Sequence, residues 1–149
     1  MKGSMNILLV EDNDLDVEIL KRGLRKMDAS ASLVRAKDGQ EALELLTEDA
    51  ATGSLPRPYV VLLDINMPRM SGHEFLETLR GTEEIKGARV FVFTTSDSKK
   101  DVDRAYRSNA NGYIVKPNSS SELHDVLESL QSFWAICEDP DDTVQQRRV

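Results

Sequence analysis

The chain has 149 residues, carries a net charge of −7 and contains one cysteine, Cys137. This length suits one folded domain whose core needs no disulfide or metal staple, and it leaves no room for a second. An acidic chain with no Lys/Arg stripe ahead of Arg147 and Arg148 argues against nucleic-acid binding; the lack of roughly 18 consecutive apolar residues or a signal-peptide pattern points to a cytoplasmic protein without membrane contact.

Residues 1–5 read as a leader, 6–137 as the folded domain and 138–149 as a flexible C-terminal tail. Asn6–Val10 is an apolar strand, after which Asn13 or Asp14 caps a helix whose Val17, Leu20, Leu24 and Met27 recur at helical spacing. Residues 32–36 read as a second strand, and Asp38 and Glu41 have capping-box spacing ahead of Ala42, Leu45 and Leu46. Residues 47–58, mixed in Gly, Pro and charge, read as a long mobile loop. The third strand, 59–64, is an apolar run ending on Asp64, of the kind buried on both faces of a parallel sheet. Ser71 and Glu74 open a helix carrying Phe75, Leu76 and Leu79. Residues 89–95 form a fourth strand, and the helix at about 98–108 offers only Val102, Ala105 and Tyr106 to a core, which makes it the most weakly held. Residues 112–116 form the fifth strand. Ser119 and Glu122 cap a last helix with Leu123, Val126, Leu127, Leu130, Phe133, Trp134 and Cys137 on one stripe, where the thiol reads as a small buried hydrophobe. Strands alternating with helices specify an α/β fold, a doubly wound five-stranded parallel sheet with helices on both faces.

With strand order 2-1-3-4-5, the topological switch point brings Glu11 and Asp12 beside Asp64 at the carboxyl edge of the sheet. Like charges this close repel, so the cluster makes sense around a hard divalent cation. Mg²⁺ suits one or two carboxylates plus waters and a phosphate oxygen, whereas Ca²⁺ requires more oxygen ligands. Taken alone, Glu11 and Asp12 read as a solvated turn capping the next helix. Thr94 and Lys116 end the fourth and fifth strands at the same edge, each unremarkable by itself. Together the four strand ends supply a nucleophile, metal ligands, a hydroxyl and an ammonium, the parts needed for phosphoryl transfer onto Asp64. His73 and His124 read as exposed polar residues.

The segments Val10-Glu11-Asp12-Asn13, Leu63-Asp64-Ile65-Asn66-Met67-Pro68, Ser71-Gly72, Phe93-Thr94-Thr95-Ser96 and Tyr113-Ile114-Val115-Lys116-Pro117 resemble the response-regulator receiver domain of bacterial two-component signalling, over about residues 6–137. The resemblance implies a flavodoxin-like receiver fold and a Mg²⁺ site. It makes Asp64 the phosphoacceptor, Asp12 the direct metal ligand, Glu11 an outer acidic partner acting through water, and Asn66 a ligand through its backbone carbonyl. It gives Lys116 a bridge to the phosphoryl group and makes Thr94 and Tyr113 a switch pair, the hydroxyl moving toward the phosphate as the ring turns inward. From the residues alone, Tyr113 reads equally well as a core aromatic. Ser96 is shorter than the acidic or amide residues some relatives use to place the hydrolytic water.

The function implied is a single-domain response regulator that accepts a phosphoryl group from a sensor histidine kinase and catalyses only its own phosphorylation and dephosphorylation. Output would pass through the fourth helix, fifth strand and last helix to a partner or a homodimer, for which Phe133 and Trp134 offer excess apolar surface. The 47–58 loop, Ser71-Gly72-His73-Glu74, Thr94-Thr95-Ser96-Asp97 and Phe133-Trp134 are similar to stand-alone receivers that serve phytochrome-type kinases. Two alternatives stand beside this reading. One is a receiver-like interaction module without the chemistry; the other is an aspartate-nucleophile phosphatase, which Asn66 disfavours because an amide cannot protonate a leaving group.

Overall fold

The structure, a computed structural model, describes residues 4–56 and 58–138. Most of the expected leader (1–3) and tail (139–149) lies outside the described residues. The elements are β1 (Asn6–Val10), α1 (Asp14–Met27), β2 (Ser32–Ala36), α2 (Gly39–Thr52), β3 (Tyr59–Leu63), α3 (Gly72–Arg80), β4 (Val90–Thr94), α4 (Lys99–Arg107), β5 (Gly112–Val115) and α5 (Ser120–Ile136). The strands pair in parallel in the order β2-β1-β3-β4-β5. This is the doubly wound sheet expected from the alternating pattern.

Because side chains alternate across a strand, each apolar run feeds two cores. Leu8, Val10, Val61, Leu63, Val90 and Val92 pack with α2 and α3, including Leu46, Phe75 and Leu79. Ile7, Leu9, Val60, Leu62, Phe91 and Phe93 pack with α1 and α5 through Leu20, Leu24, Leu123 and Leu127. Both faces are covered, so the carboxyl edge is where the strand ends meet solvent.

Caps set the helix starts. Asn13, Asp38, Ser71, Ser98 and Ser119 each accept a backbone N–H from the first turn that follows. Ser71 and Glu74 close a full reciprocal box. The Glu41 carboxylate instead accepts the Lys37 N–H at 3.2 Å, one residue early.

The structure corrects the sequence reading at four places in the fold. The 47–58 loop is shorter, because α2 continues to Thr52 and ends at Gly53, whose φ of 69° is the left-handed cap glycine favours. Asp49, buried, accepts the Leu55 N–H at 2.7 Å and ties that helix end to the next segment. Met5 is buried and its carbonyl accepts the Ser32 N–H at 3.3 Å, so the folded domain begins at Met5 and not at residue 6. α4 is as sparsely anchored as expected, with Ala105 buried, Val102 partly buried and Tyr106 half exposed. Trp134 is buried in its own domain with the Arg89 guanidinium 5.8 Å from its ring centroid, which removes it from any docking surface and leaves Phe133 half exposed against Phe91. Cys137 is only partly buried and caps α5 in extended backbone. Among the described residues no helix is long and apolar enough to cross a membrane.

Candidate functional site

The site is built by strand register. Val10 pairs with Leu63, and the ladder runs one step further: Glu11 N–H donates to Ala36 O at 3.0 Å and Asp64 N–H to Val10 O at 3.0 Å. Glu11 and Asp64 therefore emerge side by side. On the other flank Thr94 pairs with Val115, and Lys116 N–H donates to Thr94 O at 2.7 Å. The geometry brings all the expected strand-end residues to one edge.

Carboxylate oxygens of Glu11, Asp12 and Asp64 lie within 4.8 Å of one another, with Glu11 and Asp64 buried and Asp12 exposed. Arg35 of β2 braces the turn that carries two of them. Its Nε donates to the Glu11 carbonyl at 2.8 Å, and its Nη2 to the Asp12 carbonyl at 3.1 Å and the Asp14 carboxylate at 2.8 Å. Lys116, its side chain 11 % exposed, donates to Glu11 Oε1 at 2.6 Å and Asp16 Oδ2 at 2.9 Å, and stands 3.5 Å from Asp64 Oδ2.

Carboxylates outnumber the cation here, and both titrations respond to that excess. Glu11 is 2 % exposed; burial raises its pKa to about 7, the lysine offsets part of that, and the Asp64 charge adds to it. Burial alone would lower the Lys116 ammonium, but hydrogen bonds to Glu11 and Asp16 and the charge of Asp64 outweigh it and hold its pKa above the ordinary value. An edge of hard oxygen donors with surplus negative charge fits a small divalent cation.

Asp64 Oδ1 accepts the Asn66 N–H at 3.1 Å. Asn66 is exposed, and its Nδ2 makes a long 3.4 Å contact to the Oγ1 of the fully buried Thr94. Gly72 lies directly against the Asp64–Ile65 peptide and donates its N–H to Ile65 O at 3.1 Å. Tyr113, half buried, donates its hydroxyl to the Ser96 carbonyl at 2.8 Å, and burial raises its pKa. Ser96 in turn donates its hydroxyl to Asp101, whose other oxygen is 3.0 Å from His73 Nε2. Those two hydrogen bonds, Ser96 first, hold the Asp101 carboxyl below its usual range.

His73 is thus 6 % exposed and partnered, where the sequence reading left it as an exposed polar residue. Its helix start looks solvated in isolation, but α3 packs against α4 and encloses the ring. His124 is exposed, as expected. Arg35, Asp16 and Asp101 were missed. Each meets its partner far along the chain or through backbone carbonyls, and no local spacing announces that.

The family model described as the response regulator receiver domain matches residues 7–128. The chain belongs to that family. Among curated relatives, this receiver is 36 % identical over 129 residues to the probable methanogenesis regulatory protein FilR2 of Methanothrix harundinacea, covering 86 % of this chain and 82 % of that one. It is 31 % identical over 128 residues to response regulator Rcp1 of Synechocystis sp., covering 86 % and 87 %. The crystal structure of the Mn(2+)-bound form of response regulator Rcp1 matches the receiver with a TM-score of 0.75 at 30 % identity, over 91 % of this chain and 97 % of that one. The phosphorylated cyanobacterial phytochrome response regulator RcpA matches with a TM-score of 0.79 at 28 % identity, over 92 % and 98 %. A response regulator receiver is not a typical substrate-turning enzyme.

Proposed function

We propose that this receiver accepts a phosphoryl group on Asp64 from the phosphohistidine of a sensor kinase, in a Mg²⁺-dependent reaction, and changes its α4–β5–α5 surface in response. The observation that carries this reading is the convergence of Asp64, Glu11, Asp12, Thr94 and Lys116 at one edge of the sheet. The Mn(2+)-bound Rcp1 and the phosphorylated RcpA support the metal and the modification by similarity. RcpA is described as a phytochrome response regulator, which supports a phytochrome-type kinase; FilR2, named for another pathway, leaves the sensor class to experiment.

Asp12, Asp64 and the Asn66 backbone carbonyl would hold the Mg²⁺, with Glu11 outside them. Bound there, the cation supplies a Lewis acid that draws charge from the phosphoryl oxygens. An Asp64 oxygen forms the new O–P bond as the N–P bond of the donor imidazole breaks, and the imidazole keeps the electron pair. Lys116 and the Thr94 hydroxyl neutralise the equatorial oxygens. Turning toward the phosphoryl group, the Thr94 hydroxyl gives up its 3.5 Å contact from the Ser96 N–H, and turning inward, Tyr113 gives up its bond to the Ser96 carbonyl. The exposed Tyr106, Val115, Phe133 and Ile136, on α4, β5 and α5, are where a partner or a second copy would meet the altered surface.

Transfer from an autophosphorylated, radiolabelled phytochrome-type kinase tests the reading. Wild-type receiver is expected to take the label within minutes and Asp64→Asn to take none, with sedimentation of the labelled product reporting dimer formation. Label on Asp64→Asn would refute the acceptor assignment. Label from a kinase of another sensor class and none from the phytochrome type would refute the partner.

The raised Glu11 pKa gives metal binding a pH dependence. Below about 7 the buried carboxyl holds a proton that an incoming cation must displace. The apparent Kd for Mg²⁺ is therefore expected to be about tenfold weaker at pH 6 than at pH 8 by calorimetric titration, and Glu11→Gln should flatten that dependence. A flat wild-type profile would contradict it. Metal-free stability runs the opposite way. The folded pKa near 7 exceeds the ordinary glutamate value of about 4.5, so this contribution to stability is fully present below 4.5 and is lost as pH rises through 7.

A further inference from the structure

We propose that Asp16 is a positioning residue for this reaction: it holds the Lys116 ammonium in line with Asp64. The inference rests on the phosphoryl-transfer reading above, and its test separates the two.

An ammonium has three N–H donors and no acceptor. Lys116 faces three carboxylate oxygens, Glu11 at 2.6 Å, Asp16 at 2.9 Å and Asp64 at 3.5 Å. Two short bonds fix the head, and the third donor is left aimed at the far oxygen. At that separation it reaches Asp64 only weakly, but a phosphoryl oxygen projecting from Asp64 would enter its range. Glu11 alone could not fix the direction, because one bond leaves the ammonium free to pivot about it.

Asp16 is placed for this task and for little else. The close cluster of oxygens comprises Glu11, Asp12 and Asp64, so Asp16 lies outside the metal-binding group. Its backbone is pinned in the first turn of α1 by its own N–H donating to Asn13 Oδ1 at 3.0 Å. An acidic residue in a first turn favours the helix dipole, but Asp14 already serves that end and turns to Arg35 instead.

The lysine also has somewhere else to go. A cavity of about 310 Å³ between α1 and α5, floored by Leu20, Phe93 and Leu123, is lined by both Asp16 and Lys116. Without the Asp16 oxygen the flexible lysine stem can swing along that cavity and away from Asp64. Small misplacements of a charge-stabilising group weigh heavily on transfer rates.

The test uses the whole chain labelled with ¹⁵N at the lysine ammonium groups, comparing wild type, Asp16→Ala and Asp16→Asn. Asn keeps the acceptor oxygen and removes the charge; Ala removes both. In protein without donor or metal, wild type and Asp16→Asn are expected to give a resolved, slowly exchanging Lys116 ammonium signal, and Asp16→Ala to lose it. With Mg²⁺ and a small-molecule phosphodonor, the phosphorylation rate should fall about tenfold in Asp16→Ala and stay within about twofold of wild type in Asp16→Asn. A preserved signal and rate in Asp16→Ala would overturn the inference, as would equal rate changes in both variants, which a pure charge effect gives. If wild type gains no phosphoryl group while the ammonium signals follow the expected order, the positioning role stands and the receiver chemistry fails. Asp16 is 38 % exposed, so its truncation removes no core packing, and a melting curve checks this.

Discussion

Gly72→Ala is expected to destabilise the domain by about 3 kcal/mol or more and to impair phosphorylation in whatever fraction still folds. A Cβ at residue 72 would sit 2.5 Å from the Asp64 carbonyl oxygen and 2.5 Å from the Ile65 Cα. Both are backbone atoms, so no side chain can rotate out of the way. Either α3 moves off the sheet, opening the core around Phe75, Leu76 and Leu79, or the Asp64–Ile65 peptide moves and takes the acceptor with it. Gly87→Ala is the matched control, because a Cβ there meets nothing within 4 Å. Thermal melting should show Gly72→Ala lowered by about 10 °C and the control within a degree or two of wild type. Equal melting temperatures and equal phosphorylation would show that α3 does not seat on the acceptor loop as described.

Lys116→Ala is expected to slow phosphorylation by about a hundredfold, the scale set by losing one preorganised charge donor. The same change leaves Glu11 buried beside Asp64 with no cation. Removing one partner of a buried ion pair costs about 3 kcal/mol when the other stays charged. Glu11 can avoid much of that cost by binding a proton, since its pKa already lies near 7 with the lysine present. The stability loss should therefore be large at pH 8, shrink at pH 6, and shrink again on adding Mg²⁺. Denaturant melts at the two pH values check this. A loss independent of both pH and Mg²⁺ would mean that Lys116 acts by packing its stem and not by charge.

The strand ends were legible because each is an apolar run stopped by a polar residue, and the parallel ladder turns that sequence boundary into one spatial edge. Glu11, Asp64, Thr94 and Lys116 could be brought together from topology alone. The capping residues were legible for a similar reason, since a cap acts within one helical turn. What stayed hidden depends on packing between elements. His73 and Asp101 are 28 residues apart and meet only because α3 lies against α4. Asp16 and Lys116 are 100 residues apart, and in sequence Asp16 is one acid among several on an amphipathic helix. The end of α2 was hidden because Thr47, Glu48, Asp49, Ala50 and Ala51 suit a helix or a loop; the Asp49 bond to Leu55 N–H favours the longer helix. Trp134 and Phe133 are neighbours on one apolar stripe, yet helix rotation buries the first and leaves the second half exposed.

Asp64 is expected to take a phosphoryl group with the help of a divalent cation. Intact mass followed by peptide mapping, after incubation with Mg²⁺ and a small-molecule phosphodonor, reads it most directly. The expected result is a gain of one phosphoryl group mapped to Asp64, absent with EDTA and absent in Asp64→Asn. A gain that persists in EDTA, or that maps to any other residue, would rule out metal-assisted transfer onto Asp64.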